Sequence, residues 1–355
     1  MNDSPWDVLI IGQGLAGSLL AWQLIQQGYR VLVFSDGATH SASRMAAGLV
    51  NPVTGKRLVK SPQVDIFLPR AIQLYRHLER HFGRRFFHEK DMLRVFNTHD
   101  NRQAWEKRSQ DSDYEAYLGD LIQPDEYPSI NMPLGGFRQK QTGYLDTVSL
   151  LDSLDAFLKQ RDAIHYTDVD YTDITFDDHG ACVKNHPARQ VIFCEGYKAI
   201  NNPWFDWLPF KPAKGEILTL GIVDYKINET VNAGHWLLPL TNGHYKFGAS
   251  YQWDNLDEVP DETVKQQLID VLRRLLKQDN QLEILQHDAG IRPATRDTRP
   301  FIGMHPKHPR LGIFNGFGSK GSLMIPYYSQ QFSAQLGSQA FDMNEADIRR
   351  YWKGH

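Results

Sequence analysis

Val8-Leu9-Ile10-Ile11-Gly12-Gln13-Gly14-Leu15-Ala16-Gly17 decides the fold: four apolar residues run into three glycines spaced GxGxxG. Such a run suits a strand buried on both faces. Apolar residues then recur at helical spacing from Ser18 to Ile25, Gly28 interrupts, and Tyr29 to Phe34 reads as a second strand. Strand, glycine turn, helix and strand form the opening unit of a parallel α/β sheet. Gly12 permits the tight turn, Gly14 lets the backbone approach a pyrophosphate, and Gly17 lets the helix lie near the sheet. The amides opening the helix, around Leu15 and Ala16, then face phosphate charge.

A carboxylate usually closes the second strand and takes hydrogen bonds from an adenosine ribose. Ser35 stands at the aligned position and Asp36 one residue later. Either Asp36 reaches the ribose, or the contact is weaker or passes to Ser35.

Two later stretches belong to the same layer. Gln190 to Cys194 is a short buried-strand pattern ending at Glu195-Gly196, and Arg310 to Asn315 leads into Gly316-Phe317-Gly318-Ser319-Lys320-Gly321. A helix is expected from about Leu323 to Leu336, with Pro326 in its first turn or marking a later start. Between these stretches the material changes. Helical spacing covers 63–85, 147–160 and 261–278, whereas 215–223, 235–240 and 244–251 alternate or run apolar around turns such as Asn242-Gly243. The expected architecture is a Rossmann-like α/β domain built from residues 1–70, 143–210 and 286–355, with an α+β domain of mixed or antiparallel sheet from 71–142 and 211–285 inserted into it.

Length and composition agree. At 355 residues the chain exceeds what one core usually supports. A net charge of -3 gives no general reason to bind nucleic acid; the local run Arg44, Lys56, Arg57, Lys60 and Arg70 reads as solvated surface. Cys182 and Cys194 lie in alternating apolar contexts and suit strand positions in a reduced protein. Acidic Asp3 precedes the first strand, and no run of about 18 apolar residues occurs, so no leader or membrane span is expected and a cytoplasmic location follows by elimination. The fourteen histidines are scattered. His77 and His81 lack the leading residues of a zinc hydrolase motif, and no metal is expected.

Nearly the whole chain resembles the D-amino-acid oxidase and glycine oxidase superfamily of flavoproteins. The likeness is carried by the opening motif, Ser41-Ala42-Ser43-Arg44-Met45-Ala46-Ala47-Gly48-Leu49-Val50, Gly143-Tyr144-Leu145-Asp146, Cys194-Glu195-Gly196, Trp236-Leu237-Leu238-Pro239, Phe247-Gly248-Ala249-Ser250-Tyr251, Ala289-Gly290-Ile291-Arg292-Pro293 and the final glycine loop. It implies noncovalent FAD, since neither cysteine falls in the late ring-facing loop. It also implies cofactor contacts at Ser43, Arg44, Ala47, Gly48, Val169, Glu195, Gly196, Arg292, Gly316, Gly318, Ser319, Lys320, Gly321 and Ser322. Arg292 matches the arginine that holds a substrate carboxylate, a task suited to a guanidinium that donates two parallel hydrogen bonds. Lys246 is similar in position to a lysine that promotes reaction of reduced flavin with oxygen in sarcosine-type oxidases, and Lys320 would add positive charge near a carboxylate or the reduced ring.

The implied reaction passes a hydride from the carbon beside a neutral amine to flavin. Water hydrolyses the resulting imine, and oxygen or another acceptor restores the cofactor. The first expectation is therefore oxidation of a small carboxylate-bearing amine, either an amino acid or an N-substituted glycine. A second is oxidation of the carboxymethylaminomethyl group on transfer RNA wobble uridine, because Gly48-Leu49-Val50-Asn51-Pro52-Val53-Thr54-Gly55-Lys56 is similar to a segment of the oxidase domain of the bifunctional enzyme of that modification. The departures at Ser35 and Glu195 leave room for a third, a flavin-binding protein without turnover.

Overall fold

The computed structural model describes residues 5–354 except 39, 40, 224, 226, 278–280, 339 and 340; Asp3 and the end of the helix expected to reach 278 lie outside the described residues. Its first sheet has strand Trp6–Ile11 at the centre, parallel to Val31–Ser35 on one side and His186–Phe193 on the other. Ile164–Tyr166 extends one edge in parallel, and Leu311–Asn315 pairs in parallel with the end of His186–Phe193. Val8, Leu9, Ile10, Val191, Ile192 and Phe193 are fully buried, as expected where helices cover a parallel sheet. Helix Leu15–Gln26 follows the glycine turn and packs against Gly321–Gln335.

The second sheet runs in the order Leu282–Arg292, Ala213–Ile222, Tyr245–Gly248, Trp236–Pro239, Thr230–Asn232, Met92–Val95, Gly136–Gln139 and Leu118–Ile122. Every pairing is antiparallel except Thr230–Asn232 with Met92–Val95, so the sheet is mixed. Helix Glu262–Leu275 lays Val264, Leu268, Leu272 and Leu275 onto one face, in a core that includes Leu218, Leu220, Phe247 and Val231.

The boundary expected at residue 70 needs correction. Helix Val64–Phe82 is continuous through it, and Phe67, Leu68, Ala71, Tyr75 and Leu78 share one core with Trp22, Leu323 and Phe332. The helix belongs to the nucleotide-binding layer as a whole. It also explains how Pro326 is tolerated at the sixth residue of Gly321–Gln335, beyond the expected first turn. Proline removes the N–H that would bond the Ser322 carbonyl, and the buried Tyr75 hydroxyl donates to that oxygen at 2.6 Å instead. His77 and His81 pack their rings on Trp22 at 6.1 and 4.7 Å. Cys182 and Cys194 are both free.

Candidate active site

One cavity of about 1050 Å³ opens between the C-terminal ends of the parallel strands and the second sheet, at the upper end of the ~300–1,000 Å³ usual for ligand pockets. Its nucleotide end is built from backbone. Gly12 has φ +106°, and a Cβ there would stand 2.4 Å from the Cys194 carbonyl oxygen; one on Gly17 would stand 2.0 Å from the Gly12 oxygen. Gly14 caps the helix without a side-chain hydrogen bond, leaving first-turn amides pointed into the cavity. The Leu15 amide donates to Ser43 Oγ at 3.0 Å, tying the serine-rich turn to the helix start. Gly12, Gly14, Leu15, Ala16, Ser35, Asp36, Ser43, Arg44, Ala47 and Gly48 all line the cavity. Gly17 is not part of the cavity lining and lies against the Gly12 backbone.

Polar side chains flank this end. The Lys198 ammonium lies 2.8 Å from Asp36 Oδ2. Burial raises the Asp36 pKa, but Lys198 and the Ala38 amide outweigh it and hold the carboxyl below its ordinary value. Ser35 Oγ accepts from the Gly37 amide at 3.1 Å, so it stabilises the turn that presents Asp36. Asp155 accepts from Gln13 at 2.7 Å, from Lys159 at 2.7 Å and from the Tyr166 hydroxyl. Gln13, Asp155, Lys159 and Tyr166 were not expected, because their chemistry depends on contacts between distant stretches. Arg44 pairs with Asp152 at 2.8 Å, and Lys60 with Asp65 at 2.7 Å, while Lys56, Arg57 and Arg70 are exposed.

Val169, Glu195 and Gly196 line the next section of wall. Glu195 accepts from the Tyr171 hydroxyl and from Asn202 Nδ2, each at 2.9 Å. Burial raises its pKa to about 7, although both hydrogen bonds and Lys198 oppose the shift. Phe317, Gly318, Ser319, Gly321 and Ser322 form the wall opposite, where the Asn315 side chain donates to the Gly196 carbonyl at 2.8 Å and fastens the two sides together. Gly316, at φ +81°, makes the preceding turn without lining the cavity.

At the far end the wall comes from the second sheet: Gly215, Ile217, Trp236, Ala249, Gly290 and Arg292. Register pairs Gly215 with Gly290 and Ala213 with Arg292. The Arg292 guanidinium lies 4.7 Å over the Tyr251 ring and makes 3.4 Å contacts with the Lys214 and Ser250 carbonyls. No carboxylate lies within ion-pair distance of it among the described residues. Burial lowers its pKa, opposed by Tyr251. A Cβ on Gly215 would stand 2.0 Å from its Nη2, so the bare glycine makes room for the guanidinium.

The structure does not bring the two lysines to this wall. Lys246 Nζ donates to the Ala46 carbonyl at 3.4 Å, one layer behind the turn that lines the cavity, and burial lowers its pKa against the opposing influence of Asp288 and Asp146. Lys320 Nζ donates to Ser61 Oγ at 3.0 Å, and burial lowers its pKa too.

A Rossmann-like sheet with glycine-lined turns at one end of a cavity, and a capping sheet with an unpaired arginine at the other, defines a two-layer dinucleotide-binding oxidoreductase fold. A family model described as FAD dependent oxidoreductase matches residues 7–334, and the chain belongs to that family. The structure superposes on glycine oxidase from Geobacillus kaustophilus with a TM-score of 0.83 at 22% identity, over 97% of this chain and 98% of that one. It superposes on iminodiacetate oxidase from Chelativorans sp. BNC1 with a TM-score of 0.80 at 19% identity, over 97% and 98% of the two chains. By sequence it is 23% identical to the tRNA 5-methylaminomethyl-2-thiouridine biosynthesis bifunctional protein MnmC of Legionella pneumophila strain Corby, over 93% of this chain and 54% of that protein. The chain thus spans about half the length of this bifunctional relative. It is 20% identical to glycine oxidase of Bacillus subtilis strain 168, over 90% of each chain. Among the described residues no helix is long and apolar enough to cross a membrane.

The residues present fit FAD. Gly12 and Gly17 hold the turn where a Cβ would strike backbone, the helix start offers amides to a pyrophosphate, and Asp36 lies at the edge where a ribose would sit. The 46–48 turn, Gly318, Ser319 and Gly321 of the glycine loop, and Arg292 all line this one cavity.

Proposed function

We propose that the chain oxidises the carbon–nitrogen bond of a small amine that carries a carboxylate, an amino acid or an N-substituted glycine, using noncovalently held FAD. One observation carries this reading: Arg292 lines the cavity with a half-buried guanidinium that no carboxylate of the described protein neutralises. Such a charge is costly to leave unpaired, and a substrate carboxylate would complete it with two parallel hydrogen bonds. The names of the glycine and iminodiacetate oxidases point to substrates with this pairing of amine and carboxylate.

When bound, FAD supplies the two-electron acceptor for the hydride on the carbon beside nitrogen. The chain's part is orientation. Arg292 fixes the carboxylate end, the Tyr251 ring packs 4.7 Å from the guanidinium carbon, and Ile217 and Trp236 give the wall an apolar surface that excludes water from the reacting carbon. Ser319 and Ser322, at the start of helix Gly321–Gln335, lie where the helix dipole favours negative charge. On this reading Lys246 and Lys320 act at a distance, through positive charge behind the 46–48 turn and at the loop 316–321, and touch no substrate atom.

The test is anaerobic flavin bleaching across glycine, sarcosine, D- and L-amino acids and proline. At least one should bleach the wild type, and R292A should lose its binding; unchanged binding and reduction in R292A would remove the anchor. A second reading, oxidation of a modified wobble uridine, is supported by the bifunctional relative, which aligns along 93% of this chain, and by exposed Lys56 and Arg57 on the turn joining Val53–Thr54 to Val59–Lys60. Bleaching by carboxymethylaminomethyl-modified transfer RNA and by none of the amino acids would favour it.

A further inference from the structure

The chain between Gly248 and Asp261 holds an arrangement that a small amine carboxylate does not use. Tyr251 and Trp253 are 47% and 52% exposed. Their rings lie 5.0 Å apart at 50°. The Arg292 guanidinium lies 4.7 Å over the Tyr251 ring, and the Lys211 ammonium 5.6 Å over the Trp253 ring. Cation, ring, ring and cation thus run in series outward from the cavity wall.

The loop bearing the rings is held by buried charge. Lys214 and Gln252 exchange backbone hydrogen bonds at 2.9 and 3.0 Å. The Lys214 side chain, 1% exposed, donates to Asp257 Oδ1 at 2.6 Å and also to the Val259 carbonyl. Glu216, 0% exposed, accepts from the Asp261 amide at 3.0 Å and lies 2.8 Å from His287 Nε2. Burying a lysine and a glutamate is costly, and well-packed apolar residues in their place are often as stable. Here the Lys214 backbone holds the loop at Gln252, the Lys214 and Glu216 side chains hold it at 257–261, and Glu258 lines the cavity. The two exposed rings are therefore presented in a set position beside Arg292.

We infer that Tyr251 and Trp253 form an outer subsite of the substrate pocket, a shelf for a planar aromatic group borne by the amine or the α-carbon of the substrate. The inference rests on Arg292 as the carboxylate anchor. A carboxylate held at the guanidinium directs a ring two or three bonds away toward the Tyr251 face, and Trp253 extends that surface. A ring on the shelf gains from the apolar area it buries and from the aromatic pairing together, so it should gain roughly tenfold in affinity.

The test titrates FAD-loaded wild type, W253A, W253F and R292A with acetate and with phenylacetate, following the visible flavin band, with a thermal midpoint to confirm that each variant is folded. The shelf predicts that phenylacetate binds the wild type roughly tenfold tighter than acetate. That preference should fall below about threefold in W253A and return in W253F, and R292A should weaken both ligands. If W253A does not fold, W253L reads the same ratio. Equal affinities in the wild type, with both lost in R292A, would overturn the shelf and leave the anchor standing, as would a preference undiminished in W253A. Undiminished binding of both ligands to R292A would overturn the anchor and the shelf together.

Discussion

The two ends of the cavity are built by opposite means. At the nucleotide end, contiguous residues act through their backbone: Gly12, Gly14 and the helix amides need no particular side chain, only the absence of one. At the capping end, Gly215, Trp236 and Arg292 come from different strands of one sheet and Ala249 follows a fourth, and the chemistry depends on which side chain each strand turns toward the cavity. At the first end an added Cβ on Gly12 or Gly17 would strike backbone, whereas at the second an added atom meets a side chain and changes how substrate is held.

The sharpest break of that contrast is at Gly17. A Cβ there would lie 2.0 Å from the Gly12 backbone oxygen, which cannot yield as a flexible side chain would. G17A should therefore purify without FAD, its flavin absorbance close to baseline after FAD addition and gel filtration. R292A should keep its FAD and lose substrate recognition: two charge-assisted hydrogen bonds of about 1.5–3 kcal/mol each predict a ~10²–10⁴-fold fall in kcat/KM for carboxylate-bearing amines. Steady-state kinetics with flavin occupancy measured alongside separates these two variants.

G215A sharpens the comparison within the capping end. Its added methyl would first meet the guanidinium, at 2.0–2.3 Å, the far end of a flexible side chain. The fold and FAD occupancy should survive, with KM for the carboxylate substrate raised roughly tenfold, about 1.4 kcal/mol, and a smaller change in kcat. A change in kcat alone would mean that the arginine does not set the carboxylate position.

Glu195 acts on stability and pH dependence and not on turnover. Its carboxyl is raised to about 7 by burial, so the folded state holds the proton more tightly than the unfolded chain. The stability this contributes is fully present below the ordinary carboxylate pKa and is lost as pH rises through about 7. Urea unfolding should show the wild type losing about 2 kcal/mol relative to E195Q between pH 5 and pH 8. A difference independent of pH would mean that Glu195 ionises normally in the fold.

The same contrast explains what could be read from the sequence. The strand, glycine turn and helix at residues 6–26 are local, and so were legible: spacing alone distinguishes Gly12, Gly14 and Gly17. Arg292 was legible only through family likeness. Gly215 was hidden, because its importance appears once register sets it across from Gly290 and under the arginine. Gln13 and Asp155 stand 142 positions apart, and no local pattern links them. Lys246 and Lys320 have the right charge in the right segments, but each donates to protein, to Ala46 and Ser61, and neither side chain lines the cavity.

Adding FAD to the purified chain, removing the excess and introducing sarcosine without oxygen tests most directly whether the glycine-lined turns and Arg292 serve one pocket. The protein should stay yellow after gel filtration, and sarcosine should perturb or bleach its visible band in the wild type but not in R292A. A colourless protein, or a band that responds identically in both, would contradict the account.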